Sequence, residues 1–507
     1  MSTTESAPRW PRSFWLLLVA GLALRCVALT QPLVDAHLLR QTQTAAVTQS
    51  LQTEPGFPLT AQIPWIGDVP GRFVLEIPIY NYLVLGLDAL VGHLDVSGKL
   101  VSVLLWAVSF FFLQALWRRM LQPGEALWAN VLFVVAPLGV FYGQAFMPEM
   151  LVQALSLGFV AAVARYGEQP TLGRWAVCAA AGLAALLAKL PETSHLYLLL
   201  AFVVWQRLGW RCAVWPRHLI AAALTVVALK AWSHYADAAN HDSLPEWSSA
   251  RMLPGFIGTL ASRFTLKPWL MIVGYLGAFV ITGPAALAAL GGLWVFLRER
   301  RSVFLGAWLL SLVAYYLIWF GNAGPAQSYY NLPALPPLAA LFGLGMHALL
   351  SWKRIARWRT TAALAAAAPL LVCVAPVLRY LFTPDRTLLA AAAWLRDHTP
   401  PGSAVIFRPN HRWDMVEYPP NPVLAYCARR PTFVWVGDTP ESLKKTALER
   451  ARCAVVTLPP PPATGLAGKL QRLRGSGPPQ LAPLDWLADA GFVKTTGGEG
   501  FAVYERR

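Results

Sequence analysis

Apolar runs long enough to cross a bilayer recur along the first three quarters of this chain, and they restrict what it can fold into more than any other feature. In hydrocarbon every backbone N–H and C=O must find a partner inside the protein, so a spanning helix needs about 20 mostly apolar residues. Such runs fall near residues 13–30, 99–117, 126–142, 149–165, 174–190, 194–209, 218–236, 268–297, 303–320, 330–350 and 360–381. Only 13% of the 507 residues are charged and 56% are hydrophobic, against about 25% charged in soluble domains. The sequence therefore predicts a polytopic α-helical membrane protein of about eleven spans.

Basic residues test that reading, because loops rich in Lys and Arg stay in the cytoplasm. With the amino terminus inside, Arg9 and Arg12 are followed on the inner face by Arg118 and Arg119, Arg165 and Arg174, Arg207, Arg211 and Arg217, Arg298, Arg300 and Arg301, and Lys353, Arg354, Arg357 and Arg359. The short outer loops 143–148 and 321–329 carry no Lys or Arg. Everything after residue 382 then lies outside the cytoplasm. Counting Ile77–Val91 as a span would invert every later loop. With Pro78, Asn81 and Asp88 inside it, this stretch reads as an interfacial helix on the outer leaflet. Arg25 is a poor neighbour for a cleavage site near Ala28, so the first span is expected to be an uncleaved anchor.

The net charge of +16 does not call for nucleic acid, since most of the basic residues belong to inner loops and the tail. The six cysteines show no C-x-x-C spacing, which argues against a zinc cluster; Cys427 and Cys453 alone fall in the outer tail, where a disulfide is allowed. From residue 383 the apolar runs shorten. Leu388–Arg396 reads as a helix, and Ala404–Phe407, Thr432–Val436 and Ala454–Leu458 as strands, with loops at Pro459–Pro462 and Gly475–Pro479. Residues 383–507 are thus expected to form a soluble extracytoplasmic α/β domain behind a membrane domain, 1–382, whose first outer loop spans 31–98. No G-x-G-x-x-G or P-loop motif is present.

Two acids stand out, because carboxylates close to a membrane are costly to bury. Asp35 follows the outer end of the first span, and Glu149 opens the fourth in Met147-Pro148-Glu149-Met150. A plain structural reading has Asp35 end a helix and Glu149 cap one against its dipole. Lys189, Arg251, Arg263 and Lys267 lie on the same outer face. They suit an anionic phosphate, or snorkel to lipid headgroups. Arg25, inside the first span, reaches toward the site or toward headgroups. His37 reads as an ordinary loop histidine, and Tyr329 and Tyr330 fit an aromatic belt.

The first outer loop, Pro148-Glu149 and the run Tyr329-Tyr330-Asn331-Leu332-Pro333-Ala334-Leu335-Pro336-Pro337 together resemble the GT-C membrane glycosyltransferases. The branch it resembles is the bacterial, family 39-like one, related to dolichyl-phosphate-mannose protein mannosyltransferases and aminoarabinose transferases. The likeness covers most of residues 13–350 and includes Arg40-Gln41 and Glu76-Ile77-Pro78-Ile79-Tyr80-Asn81-Tyr82-Leu83. Lys99 opens the second span where relatives have Arg, and Gln327 precedes the tyrosines where relatives often have His. The resemblance implies an enzyme of the bacterial inner membrane that moves a sugar from a polyprenyl-phosphate donor to an extracytoplasmic acceptor hydroxyl, on lipid A or lipopolysaccharide core, a protein or another envelope glycan. It implies that Asp35 acts at the acceptor, that Glu149 helps hold the acceptor or a divalent metal shared with Asp35, and that Arg40, Glu76, Lys99, Lys189, Arg251, Arg263, Lys267, Tyr329 and Tyr330 surround the substrates, with Asn331 and Gln327 at the sugar. Such a transfer needs a base for the acceptor proton and positive charge for the departing phosphate. Adjacent packing of the first and fourth spans is expected to bring Asp35 and Glu149 within about 10 Å of one another, close enough to share an acceptor, a metal or a water. The competing readings are a transporter or flippase for lipid-linked sugars, against which the spans offer almost no mid-membrane charge, and a non-catalytic scaffold.

Overall fold

A computed structural model describes residues 10–53, 59–67, 71–209, 216–241, 249–299, 302–321, 325–409, 421–435, 439, 441–458, 484–498 and 500–506. The loops 459–462 and 475–479, Val436, and Arg9, Arg211, Arg300 and Arg301 lie outside the described residues. The chain divides into two compact units. One comprises Met1–Thr30, Leu75–Ala238 and Glu246–Phe382; the other comprises Gln31–Val74, Ala239–Pro245 and Thr383–Arg507.

The first unit is helical, and each apolar run expected to span coincides with helix. Among the described residues five helical stretches are long and apolar enough to cross a membrane, or six if one bent pair counts as a single span. Shorter apolar helices are Ile79–Val91, Pro123–Val135, Leu172–Ala188 and Val303–Ile318. Of the apolar window in Glu149–Glu168, 72% is buried inside the protein, against 11% in Pro216–Asn240. The former is therefore central, whereas the latter leaves most of its apolar surface uncovered by the described residues. Leu16, Val19, Leu224, Val227, Leu290 and Val372, each more than half exposed, likewise present an apolar surface suited to a bilayer.

Two expected spans are broken. The run 268–297 is not one helix: Leu266–Val280, which ends in a π-helical turn, and Gly283–Glu299 meet at 110°. Thr282 adopts a left-handed φ of 66°, and Pro284, which has no N–H to donate, starts the second helix afresh. The run 126–142 divides into Pro123–Val135 and Pro137–Tyr142 at extended Ala136, again before a proline. Arg25 explains how that break survives in an apolar interior. It is fully buried and reaches neither headgroups nor the cleft described below. Its guanidinium donates to Val134 O at 3.2 Å, Gly139 O at 2.9 Å and Gly21 O at 3.1 Å, and lies 3.8 Å over the Trp106 ring. Carbonyls on both sides of the break thus share one charged donor.

In the second unit, helix Leu38–Thr53 precedes a small antiparallel pair, β1 (Ala61–Gln62) and β2 (Arg72–Phe73). The tail builds a five-stranded sheet from β3 (Val405–Arg408), β4 (Thr432–Val434), β5 (Cys453–Thr457), β6 (Phe492–Gly498) and β7 (Phe501–Arg506), in the order β4-β3-β5-β7-β6. β3 runs parallel to β4 and β5, while β7 pairs antiparallel with β5 and β6. Ile406, Phe433, Ala454 and Val456 pack with Ala447, Leu487 and Phe492 on one face. Helix Arg386–His398, capped by Asp385 on Leu388 N at 3.1 Å, buries Leu388, Ala391, Ala392 and Leu395. The expected helix and three strands are therefore present within a residue or two. The segment carrying Trp65 and Gly67 also edges β4: Gly67 N donates to Thr432 O at 3.0 Å and Val434 N to Trp65 O at 3.1 Å. Gly67 has φ 70°, and the Phe433 ring occupies the space a Cβ would need. Cys427 and Cys453 do not form the allowed disulfide, and burial pushes the Cys453 thiol up to about 12.

Candidate functional site

Each of the two acids is buried in its own unit. In the helical unit, Pro148 ends an irregular loop and Glu149 opens helix Glu149–Glu168 at 2% exposure. Unpaired N–H groups at that terminus favour an ionised side chain. Lys189 occupies an extended break between helices Leu172–Ala188 and Leu190–Ser194, with Pro191 restarting the second. The break turns the lysine inward. Its Nζ donates to Glu149 Oε1 at 2.8 Å and Oε2 at 3.1 Å. It also lies 2.7 Å from Glu192 Oε1, a contact to one oxygen of that carboxyl. The ammonium sits over the rings of Tyr329 and Tyr330, 4.1 and 4.8 Å from their centroids.

Around this cluster Tyr315 donates to Tyr330 O at 2.6 Å, Tyr316 to Asn331 Oδ1 at 3.1 Å, and Tyr142 shares a 2.6 Å hydrogen bond with Ser328. These contacts fix the 3₁₀ segment Pro325–Ala334 that carries the tyrosines. A narrow cleft follows, with Glu149, Glu192, His195 and Tyr329 at its polar end and Val160, Leu196 and Pro336 among its apolar walls. Val152, Gln153, Ser156, Leu157 and Val160 line it at helical spacing below Glu149. Burial pushes the Glu192 carboxyl above the ordinary carboxylate range, against the lowering pull of Lys189.

In the other unit, Asp35 is also 2% exposed. It lies just before helix Leu38–Thr53, whose start is set by His37 in a left-handed conformation, φ 56°. Gln41 Nε2 donates to Asp35 Oδ1 at 2.5 Å and to Ala36 O at 2.9 Å, and Gln31 Nε2 to Asp35 Oδ2 at 3.3 Å. Buried Thr42 and Thr48 return their hydroxyls to carbonyls four residues back, so this helix keeps a polar buried face without unpaired hydroxyls there.

The other candidates are distributed as follows. Glu76 is partly buried and acts electrostatically on Lys189. Lys99 is buried and donates to Ala28 O at 2.9 Å, just beyond the first helix. Arg263 donates to five carbonyls, Ile257, Gly258, Thr259, Leu317 and Ile318, and so clamps two chain segments. Arg251 and Lys267 are exposed, Arg40 is partly buried, and none of these three lines the cleft. Glu192 and His195 were not singled out from sequence. An acid three residues after Lys189, across a proline, was the available signal for Glu192.

No protein-family model matches the chain, and no curated protein matches it in sequence. Its structure, however, is similar to that of ArnT from Cupriavidus metallidurans over 97% of both chains, with TM-score 0.56 and 14% identity. It is also similar to the Archaeoglobus fulgidus oligosaccharyltransferase crystallised with Zn and sulfate, over 88% of this chain and 68% of that one, with TM-score 0.54 and 12% identity. The same enzyme, AglB, in complex with an inhibitory peptide and a dolichol-phosphate, matches with TM-score 0.50 and 11% identity, over 88% and 69%. The chain has the GT-C glycosyltransferase fold. On this fold the donor set tests the metal expectation. Among the described residues no three His, Cys, Asp or Glu side chains gather as a metal site. Both Glu149 oxygens face an ammonium and Asp35 accepts from amides. The residues described do not by themselves fit a divalent ion, and no step is derived through one.

Proposed function

We propose that this chain is an inverting membrane glycosyltransferase that moves a sugar from a polyprenyl-phosphate donor to an acceptor hydroxyl on the outer face of a bacterial cytoplasmic membrane. The observation that carries the reading is Asp35: a buried carboxylate oriented by neutral amide donors, in a chain with the GT-C fold. Gln41 and Gln31 hold the carboxylate in one orientation, and a carboxylate oxygen can take a proton. As the acceptor oxygen bonds to the anomeric carbon, Asp35 accepts its proton, the bond from carbon to phosphate oxygen breaks, and the phosphate leaves with the electron pair. Glu149 is fixed by Lys189 within the helical unit. Because Lys189 is already held by Glu149, phosphate recognition falls to Arg251 and Lys267, which are exposed, with Glu76, Tyr329 and Tyr330 bordering the sugar.

AglB, a structural neighbour, is seen with dolichol-phosphate, which supports a lipid-phosphate donor here. The test is turnover by the purified full chain. Transfer from a polyprenyl-phosphate sugar is expected; efficient turnover of a soluble nucleotide sugar without lipid would overturn the donor assignment. Reporter fusions after residue 400 should be active only with an exported reporter. An active cytoplasmic reporter at that position removes the proposed side of the reaction.

A further inference from the structure

We propose that Glu192 is a positioning residue that shares Lys189 with Glu149 and holds a proton while Glu149 stays ionised. Glu149, Lys189 and Glu192 are 2%, 7% and 3% exposed. With both carboxylates ionised, the group would hold one uncompensated negative charge in the protein interior, which is costly unless a proton removes it. Geometry indicates where that proton goes. Lys189 gives Glu149 both of its carboxylate hydrogen bonds, at 2.8 and 3.1 Å. Glu192 meets the same ammonium through Oε1 alone, at 2.7 Å, whereas Glu149 meets it with both oxygens.

Helix context points the same way. Glu149 opens a 20-residue helix whose terminus favours negative charge, whereas Glu192 belongs to a helix of 5 residues. The other titratable groups near Glu192 are His195 on its own run, Tyr315 from helix Val303–Ile318, and Tyr329 and Tyr330 from the 3₁₀ segment. Glu76 acts electrostatically on Lys189. A neutral Glu192 leaves the ammonium fixed on Glu149. An ionised Glu192 divides the ammonium between two anions and adds negative charge to a site that, on the transferase reading, must admit an anionic donor.

Infrared spectroscopy of the full chain in nanodiscs reads the proton directly. Wild type should show a carboxylic-acid C=O band at neutral pH that disappears as pH rises, and Glu192→Gln should lack it. If the glutamine variant does not fold, Glu192→Asp should move the band while Glu149→Asp leaves its frequency unchanged. No such band in wild type, or a band unaffected by either Glu192 variant, overturns the proposal. Transfer from a polyprenyl-phosphate sugar supplies the second readout: wild type should lose about tenfold in rate per pH unit once Glu192 ionises, while Glu192→Gln stays within about threefold over the same range. A glutamine variant that follows the wild-type profile also overturns it. Absence of any transfer by wild type sinks the transferase reading and leaves the infrared result to decide this one.

Discussion

Asp35 and Glu149 are equally buried, each 2% exposed, yet their surroundings are opposite in kind. Asp35 takes amide hydrogens from Gln41 and Gln31; Glu149 takes both hydrogen bonds from an ammonium that a second carboxylate also approaches. An amide orients a carboxylate and leaves its charge in place. An ammonium cancels the charge and lowers the drive to bind a proton. Two acids that look equivalent along the chain are thus held by different groups, and on the proposed reading Asp35 is the base while Glu149 anchors the lysine cluster.

The largest break in this comparison is Asp35→Asn. An amide at that position can still accept from Gln41 but cannot take a proton, so transfer should fall by about 10²–10⁴-fold with little change in melting temperature. Near-wild-type turnover by this variant would remove Asp35 as the base. Lys189→Met comes next and should act on stability first. It strands the buried Glu149 carboxylate and is expected to cost about 3–5 kcal/mol, read by thermal unfolding in detergent. A melting temperature unchanged from wild type would mean the cluster is not the internal support inferred here. Gln41→Leu should have the smallest effect, about 1.5–3 kcal/mol for a hydrogen bond to a charged group, seen as a slower rate and an altered pH dependence rather than unfolding. If its pH–rate profile matches wild type, Gln41 does not tune Asp35.

Much of the helical unit was legible because hydropathy is a local property: a run of about 20 apolar residues is readable without knowing its neighbours. The breaks were less so. Pro137 and Pro284 mark where hydrogen bonding must lapse, but the 110° turn after Val280 and the capture of Val134 O and Gly139 O by Arg25 depend on what packs there. In the tail, the apolar strands β3, β4 and β5 were readable as short β-branched or aromatic runs. The β6–β7 pair was missed, because Lys494-Thr495-Thr496-Gly497-Gly498 has little apolar pattern and becomes a strand only through its pairing with β7, which in turn pairs with β5.

By itself the sequence indicated that apolar helices come first and an α/β tail last, and it marked Asp35 and Glu149 as candidates, since carboxylates close to a membrane are costly to bury. It could not show that Lys189, 40 residues from Glu149 along the chain, meets that acid rather than a phosphate, or that Glu192 joins them. Both outcomes follow from an extended residue at position 189 that redirects one side chain into the interior. Charge pairing of this sort acts over a few ångströms in space, and only the packed helices bring those ångströms about.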